Sequence, residues 1–289
     1  MSAVAGAGPA PGRPGQFPPA AGAPRPAAPA AGSFVLAVRS LRFWLTNYRR
    51  TWRGSIYSSV ANPVLYLGAM GLGLGTLVDA HSTARLGGVS YLAFLAPGLL
   101  AATGMQTAMG ESTYPVLASV KWVKTYQAAA ATPVRPADMF HGHLLFTTLR
   151  LAMNATIFLA VIAAFGAVRS PWALAAIPVT VLTGLAFATP VEAFAVTRDK
   201  DGSFAMLFRF GLIPLFLFSA TFFPLTQLPG WLQPVAYVTP LWHGVTLCRS
   251  LTLGHPDLPG ALGHAGYLAA LALAGLIAGD RTYRRRLYV

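Results

Sequence analysis

The sequence predicts an all-α integral membrane protein: six transmembrane helices, an N-terminal amphipathic helix at the membrane interface, and a re-entrant extracellular helical hairpin between spans five and six. Three observations predict it. The 289 residues are 55% hydrophobic and 10% charged with a mean hydropathy of +0.55, more apolar surface than a water-facing fold can bury. Six stretches run free of Asp, Glu, Lys and Arg, at 54–78, 86–110, 151–168, 170–191, 210–248 and 258–279, and a spanning helix needs about 20 such residues. Lys and Arg crowd the segments that six crossings place on one side, and cytoplasmic loops carry that excess.

Residues 1–32 are Ala, Pro and Gly with two arginines and no continuous apolar core, which predicts a disordered cytoplasmic tail rather than a secretory signal. Phe34, Val38, Leu41, Leu45, Tyr48 and Trp52 then recur at helical spacing, while five arginines between 39 and 53 occupy the other faces. The segment 34–53 reads as a helix in the headgroup plane, or as an amphipathic helix packed on a partner. Spans follow at 55–77, 89–110, 139–165, 172–194, 204–223 and 261–280. In the first, GLGLG places Gly71 and Gly75 four apart, spacing that lets helices approach closely in a dimer or within one subunit.

The segment 111–138 is a long cytoplasmic loop whose TYQAAAA run favours a short exposed helix and whose TPVRP ends it. Docking to a soluble partner and plain connection are both open readings. The third span carries Arg150, which costs roughly 2.5–3.5 kcal/mol in the bilayer. With Asn154 one turn on, it either lines a path for an amphipathic or anionic substrate or pairs with a carboxylate of another helix. Glu192 and Arg209, at similar depth on consecutive spans, read as an ion pair. The stretch 210–248 is long enough for two crossings, yet a seventh would place the arginines of RTYRRRLYV outside. Four prolines between 224 and 240 break the segment instead, predicting the re-entrant hairpin at 224–250.

Several function classes are excluded by what the chain does not contain. There is no GxxxxGK[ST], so no phosphate-binding loop for ATP. The net charge of +13 is distributed between hydrophobic blocks instead of forming a patch with aromatics, which argues against nucleic acid. His141 and His143 point apart on a helix and complete no metal shell, and the single Cys248 reads as a packing residue. The eight acidic residues fall at expected span ends or in loops, leaving no mid-membrane carboxylate for a proton-coupled carrier.

Two stretches, TYQAAAATPVRPADMFHG (125–142) and FFPLTQLPGWLQPVAYVTPLWHGVTLCRS (222–250), together with this layout, resemble the membrane subunit of ABC-2-type exporters. The resemblance covers about 34–285 and is strongest to the branch of the nodulation lipo-oligosaccharide exporter permease and the daunorubicin-type drug exporters. It implies a permease with no catalytic residues and no cofactor or metal of its own, since ATP and Mg sit on a separate ATPase present in two copies beside two permease subunits. Under it the coupling helix falls at 121–131, with Lys121, Lys124, Thr125, Tyr126, Gln127 and Arg135 as candidate contacts. The family pattern has an acidic residue after the tyrosine, where this chain has Gln127. The outer gate becomes Phe222, Phe223, Pro224, Pro229, Trp231, Pro240 and Trp242, with the two tryptophans at headgroup level. The expected setting is a bacterial cytoplasmic membrane with both termini inside, and the expected cargo is lipidic or amphipathic: a lipo-oligosaccharide, glycolipid or drug-like molecule. A gradient-driven carrier is the alternative function. A lipid-modifying enzyme, built on Glu111, Glu192 and Arg209, is a third class.

Overall fold

A computed structural model describes residues 33–82, 88–255 and 257–287, and the expected tail at 1–32 lies outside them. Every regular element among the described residues is helical. Among the described residues, five helices are long and apolar enough to cross a membrane: Val35–Ala80, Tyr91–Trp122, Pro136–Ala164, Pro171–Ala195 and Leu258–Leu287.

The first is built from α1 (Ser33–Tyr66), a π-helical stretch (Leu67–Leu74) and α2 (Gly75–Ser82) without interruption. The sequence led us to expect an interface helix that ends before span one; instead helix continues through Gly54. One interior glycine costs about 1 kcal/mol against alanine, too little to break a helix flanked by good formers. The π-helical stretch begins four residues after Pro63, whose missing N–H disturbs the hydrogen-bond ladder. The Asp79 carboxylate accepts the Tyr91 N–H at 2.7 Å and ties α2 to α3 (Tyr91–Ser112).

Helix α3 is the core of the bundle. Buried residues make up 78% of its apolar window, against 22% in the first long helix and 17% in the last. It packs on α6 (Pro136–Ala164), α7 (Ala176–Ala195) and α11 (Pro240–Leu253), while α1 lies along α6 and α12 (Leu258–Leu287) along α7. Glycines make these crossings close. A Cβ added at Gly104 would stand 2.8 Å from the Thr180 carbonyl oxygen, and one at Gly184 would collide with Leu151.

Two boundaries differ from expectation. The second long helix does not end at 110: after a kink at Thr113 it continues through α4 (Tyr114–Leu117) and a π-helical turn (Ala118–Trp122). The chain then reverses at Lys124, in the left-handed region with φ 56°, into α5 (Thr125–Ala130). Further along, α8 (Gly202–Met206), a π-helical turn (Leu207–Leu212) and α9 (Ile213–Phe218) form one apolar helix of 17 residues that stops short of 223. Its end coincides with Ala220 at φ 58°.

The prolines of the next stretch open helices instead of lying inside them. Pro224 precedes a 3-10 turn (Leu225–Gln227), and Pro234 and Pro240 lie in the first turns of α10 (Gln233–Val238) and α11. Thr239 caps α11 by accepting the Trp242 N–H, and Gly254, at φ 85°, closes it.

Candidate functional site

Between α1, α3 and α6 lies a cavity of about 230 Å³. Its polar wall is formed by Ser58, Ser59 and Asn62 of α1, Thr103, Gln106 and Thr107 of α3, and Arg150 and Asn154 of α6. On each helix these residues recur within one turn, 58/59 with 62, 103 with 106/107 and 150 with 154, so each apolar helix turns one polar stripe to the same space. Leu99, Phe158, Tyr66 and Phe216 line the rest. The Asn154 amide is held at both ends: its oxygen accepts from the Ser59 hydroxyl at 2.8 Å, and its nitrogen donates to Thr107 Oγ1 at 3.0 Å.

Arg150 is not an isolated charge. Its Nε donates to Glu111 Oε1 at 3.0 Å, and its guanidinium lies 4.7 Å from the Tyr48 ring centre. Expected at a span end, Glu111 instead faces the middle of α6, because the second long helix extends beyond it. Hydropathy ended that span at its first charge, whereas a charge paired across helices stays inside.

A second polar cluster lies at the end of the bundle that carries α5. Glu192 of α7 is fully buried; Nδ1 of His143 on α6 stands 2.8 Å from its Oε1, and the Tyr283 hydroxyl of α12 donates to the same oxygen at 2.9 Å. The expected Glu192–Arg209 pair does not form. The long helices packed along α7 are α12, α3, α6 and α11, while Arg209 is exposed on the Leu207–Leu212 turn. The His143 ring stacks on Trp44 of α1 at 4.1 Å, and the Tyr126 ring of α5 stands 5.8 Å from that of Tyr283. Burial, with the Glu192 charge adding to it, pushes the Tyr126 phenol well above its ordinary range, so it keeps its proton at any physiological pH.

Among the other coupling-loop candidates, Lys121, Gln127 and Arg135 have structural partners. Lys121 Nζ donates to the Asp199 carbonyl at 2.6 Å, and Arg286 pairs with the Asp199 carboxylate, binding the loop to α12. Gln127 is exposed, yet its amide donates to Val120 O at 2.9 Å; Thr125 is half-buried and Lys124 exposed. Arg135 caps α6, its N–H donating to Asp138 Oδ2 at 3.1 Å. Gly71 and Gly75 are both buried within this one chain, and a Cβ at Gly71 would collide with Leu92.

In the segment 219–239 Phe222 meets Phe216 at 4.9 Å, and Phe223 packs on the small cluster around Ala220 and Leu225. Trp242 is half-buried against Tyr237, while Trp231 is exposed and Pro229 precedes the turn to α10. The residue that holds the segment is Arg249, expected in an outer loop. It donates to Phe94 O at 3.2 Å and Ala220 O at 2.9 Å, and lies 3.7 Å from the Phe94 ring centre. Hydrogen bonds from a charged group contribute about 1.5–3 kcal/mol. Arg249→Met should therefore raise the rate of limited proteolysis within 219–232 at least about tenfold; an unchanged rate would show that the anchor is dispensable.

Sequence reasoning missed Trp44, His143, Tyr283 and the serine and threonine stripes of the cavity. The stripes had a readable signal: polar residues at helical spacing inside stretches otherwise apolar. No comparable signal linked His143 to Glu192, which are 49 residues apart.

Comparison with known proteins places this architecture. The profile of the ABC-2 type transporter family matches residues 35–253. Nodulation protein J of Rhizobium meliloti (strain 1021) is 31% identical over 251 residues, covering 84% of this chain and 94% of that protein. Nodulation protein J of Rhizobium leguminosarum bv. viciae is 32% identical over 262 residues, 90% of this chain and 97% of the relative. The Bradyrhizobium diazoefficiens protein of the same name is 31% identical over 247 residues. A family match across most of the chain, five helices able to span a bilayer and the close correspondence in length agree: the chain is a multi-pass membrane protein that belongs to the ABC-2 type transporter family.

Proposed function

We propose that this chain is the permease subunit of an ATP-driven exporter in a bacterial cytoplasmic membrane, moving a lipidic or amphipathic substrate outward. The observation that carries the reading is the cavity between α1, α3 and α6. Hydroxyls and amides line one side and apolar rings the other, and the guanidinium on its wall is compensated by Glu111. An uncharged, hydrogen-bonding lining suits the headgroup of an amphiphile better than a free anion, because desolvating an anion there would meet no net positive charge. Likeness to proteins named for nodulation, with the family resemblance, favours a lipo-oligosaccharide or glycolipid, and a drug-like molecule after these.

In this reading Gly202–Phe218 is the fifth of six spans, the following segment to α11 re-enters from the outer side, and both termini are cytoplasmic, where Arg284, Arg285 and Arg286 satisfy the charge rule. ATP and Mg belong to two ATPase subunits that meet a pair of permeases through the exposed face of α5. The test is to copurify the tagged chain with co-expressed candidate ATPases and measure MgATP hydrolysis. Ala128→Arg, on the exposed face of α5, should lower hydrolysis at least about tenfold, on the scale of an interface hot spot. Unchanged hydrolysis overturns the docking assignment. Substrate transport with no ATPase present makes the chain a gradient-driven carrier, with Glu111 as the group to bear the proton.

A further inference from the structure

The last turns of two long helices frame a second cleft, of about 520 Å³, apart from the cavity between α1, α3 and α6. Lys121 lies at the end of the run Tyr91–Trp122, Lys124 in the reversal to α5, and Arg286 in the last turn of α12. These three cations share the cleft with one carboxylate, that of Asp199. Asp199 is divided between two of them: its carbonyl accepts from Lys121 and its carboxylate pairs with Arg286. The Arg286 and Asp199 side chains are 40% and 62% exposed, and an ion pair so open to water contributes little and is readily exchanged for another. Among the described residues no carboxylate pairs with Lys124. Its backbone is left-handed at φ 56°, a conformation that glycine or asparagine adopts at least cost, so local folding does not account for a lysine there.

Depth and neighbours indicate what the cleft meets. The two runs, of 32 and 30 residues, extend about 48 and 45 Å, close to the thickness of a bilayer with its headgroups, so both end at headgroup level. Between the two lysines, Trp122 and Val123 are 57% and 68% exposed. An apolar pair flanked by lysines suits a segment immersed in the membrane interface, with the indole among the headgroups and the ammonium groups at the phosphates. Val120 and Leu287 give the cleft an apolar side. An acidic protein surface would answer the cations alone, whereas a lipid answers the cations and the apolar groups together.

Resting on the exporter reading above for its cytoplasmic orientation, we propose that this cleft binds the headgroup of an anionic phospholipid of the inner leaflet, its phosphate held by Lys121, Lys124 and Arg286. Gln127 and Ala130 of α5 line the same cleft, so a bound headgroup braces the ATPase-facing helix against the end of α12.

The test is native mass spectrometry of the delipidated full-length chain in detergent, titrated with phosphatidylglycerol or with phosphatidylcholine, alongside its thermal melt. Wild type should bind phosphatidylglycerol at least about tenfold more tightly than phosphatidylcholine. Lys124→Asn removes the charge and suits the left-handed turn; it should weaken phosphatidylglycerol about fivefold at an unchanged melting temperature, the scale of one basic residue at an anionic membrane surface. Adding Arg286→Gln should bring the loss to about 25-fold. Arg50→Gln, which removes the same charge from the exposed face of α1, should bind as wild type does. Equal affinity for the two lipids overturns the proposal, as does wild-type binding by Lys124→Asn or a melting temperature of that variant that falls with its affinity. An equal loss in Arg50→Gln overturns it in favour of diffuse attraction, and displacement of the lipid by millimolar inorganic phosphate in favour of a free-anion site. Unchanged lipid binding with loss of the copurified ATPase in Lys124→Asn would give the cleft to that partner instead. A tag placed after Val289 and reached by antibody in intact spheroplasts overturns the exporter reading's orientation; a shielded tag with no lipid preference overturns this proposal alone.

Discussion

Arg150→Gln should be among the most destabilising single substitutions in the bundle, and the double variant Arg150→Gln/Glu111→Gln should recover most of the loss. The two side chains are 13% and 19% exposed and share the 3.0 Å contact. Removing the guanidinium leaves a carboxylate largely out of water with no cation, a change that costs about 3–5 kcal/mol when a buried pair is broken from one side. Removing both charges leaves two amides able to bond each other, and replacement of whole buried pairs is often nearly neutral. Loss of the guanidinium–Tyr48 contact, about 0.5–2 kcal/mol, accounts for the part the double variant fails to recover. Thermal melting of the four purified forms checks this. A double variant no more stable than Arg150→Gln would mean that the pair does not stabilise the helices and that Arg150 serves the cavity alone. Because Asn154 keeps its bonds to Ser59 and Thr107 in all four forms, the cavity's second polar anchor is a constant in the comparison.

The same pair shows what the sequence could and could not convey. Apolar stretches of about 20 residues located parts of all five long helices, because bilayer thickness sets their length directly. Family likeness, carried by 125–142 and 222–250, led to the family that the comparison found. Termini and pairings were less legible, since both depend on neighbours. Glu111 ended a span in hydropathy terms but continues a helix in fact, its charge being answered from α6. Arg209 and Glu192 looked complementary by sign and depth, yet α7 turns Glu192 toward α6 and α12, where the partners are a histidine and a tyrosine. Pro224, Pro234 and Pro240 do interrupt the apolar stretch, but at helix starts, and that placement depends on turns such as the left-handed one at Ala220 that no proline announces.

Glycine spacing shows the same limit and gives the second large expected effect. GLGLG at 71–75 brings Gly71 against Leu92, and a second GxxxG, Gly275 to Gly279 of α12, lets that helix lie close against both α7 and α6. A Cβ added at Gly275 would lie 2.7 Å from the Pro190 ring nitrogen and would collide with Thr189. One added at Gly279 would collide with the Phe140 ring. The close approach permits a bond that apolar packing alone would not: Thr189 Oγ1 donates to Ala272 O of α12 at 3.0 Å. Gly275→Leu should thus force α12 off α7, with the about 1–3 kcal/mol of overpacking added to the loss of that bond, and should sharply lower the yield of folded protein. Gly263→Leu and Gly266→Leu, on the same helix where an added Cβ meets nothing within 4 Å, should leave yield and melting temperature near wild type. The comparison holds helix propensity and hydrophobicity fixed, so a difference between Gly275 and the other two positions measures the α7–α12 contact itself. Equal tolerance at all three would place that crossing wrongly, and with it the route by which Tyr283 of α12 reaches Glu192 of α7.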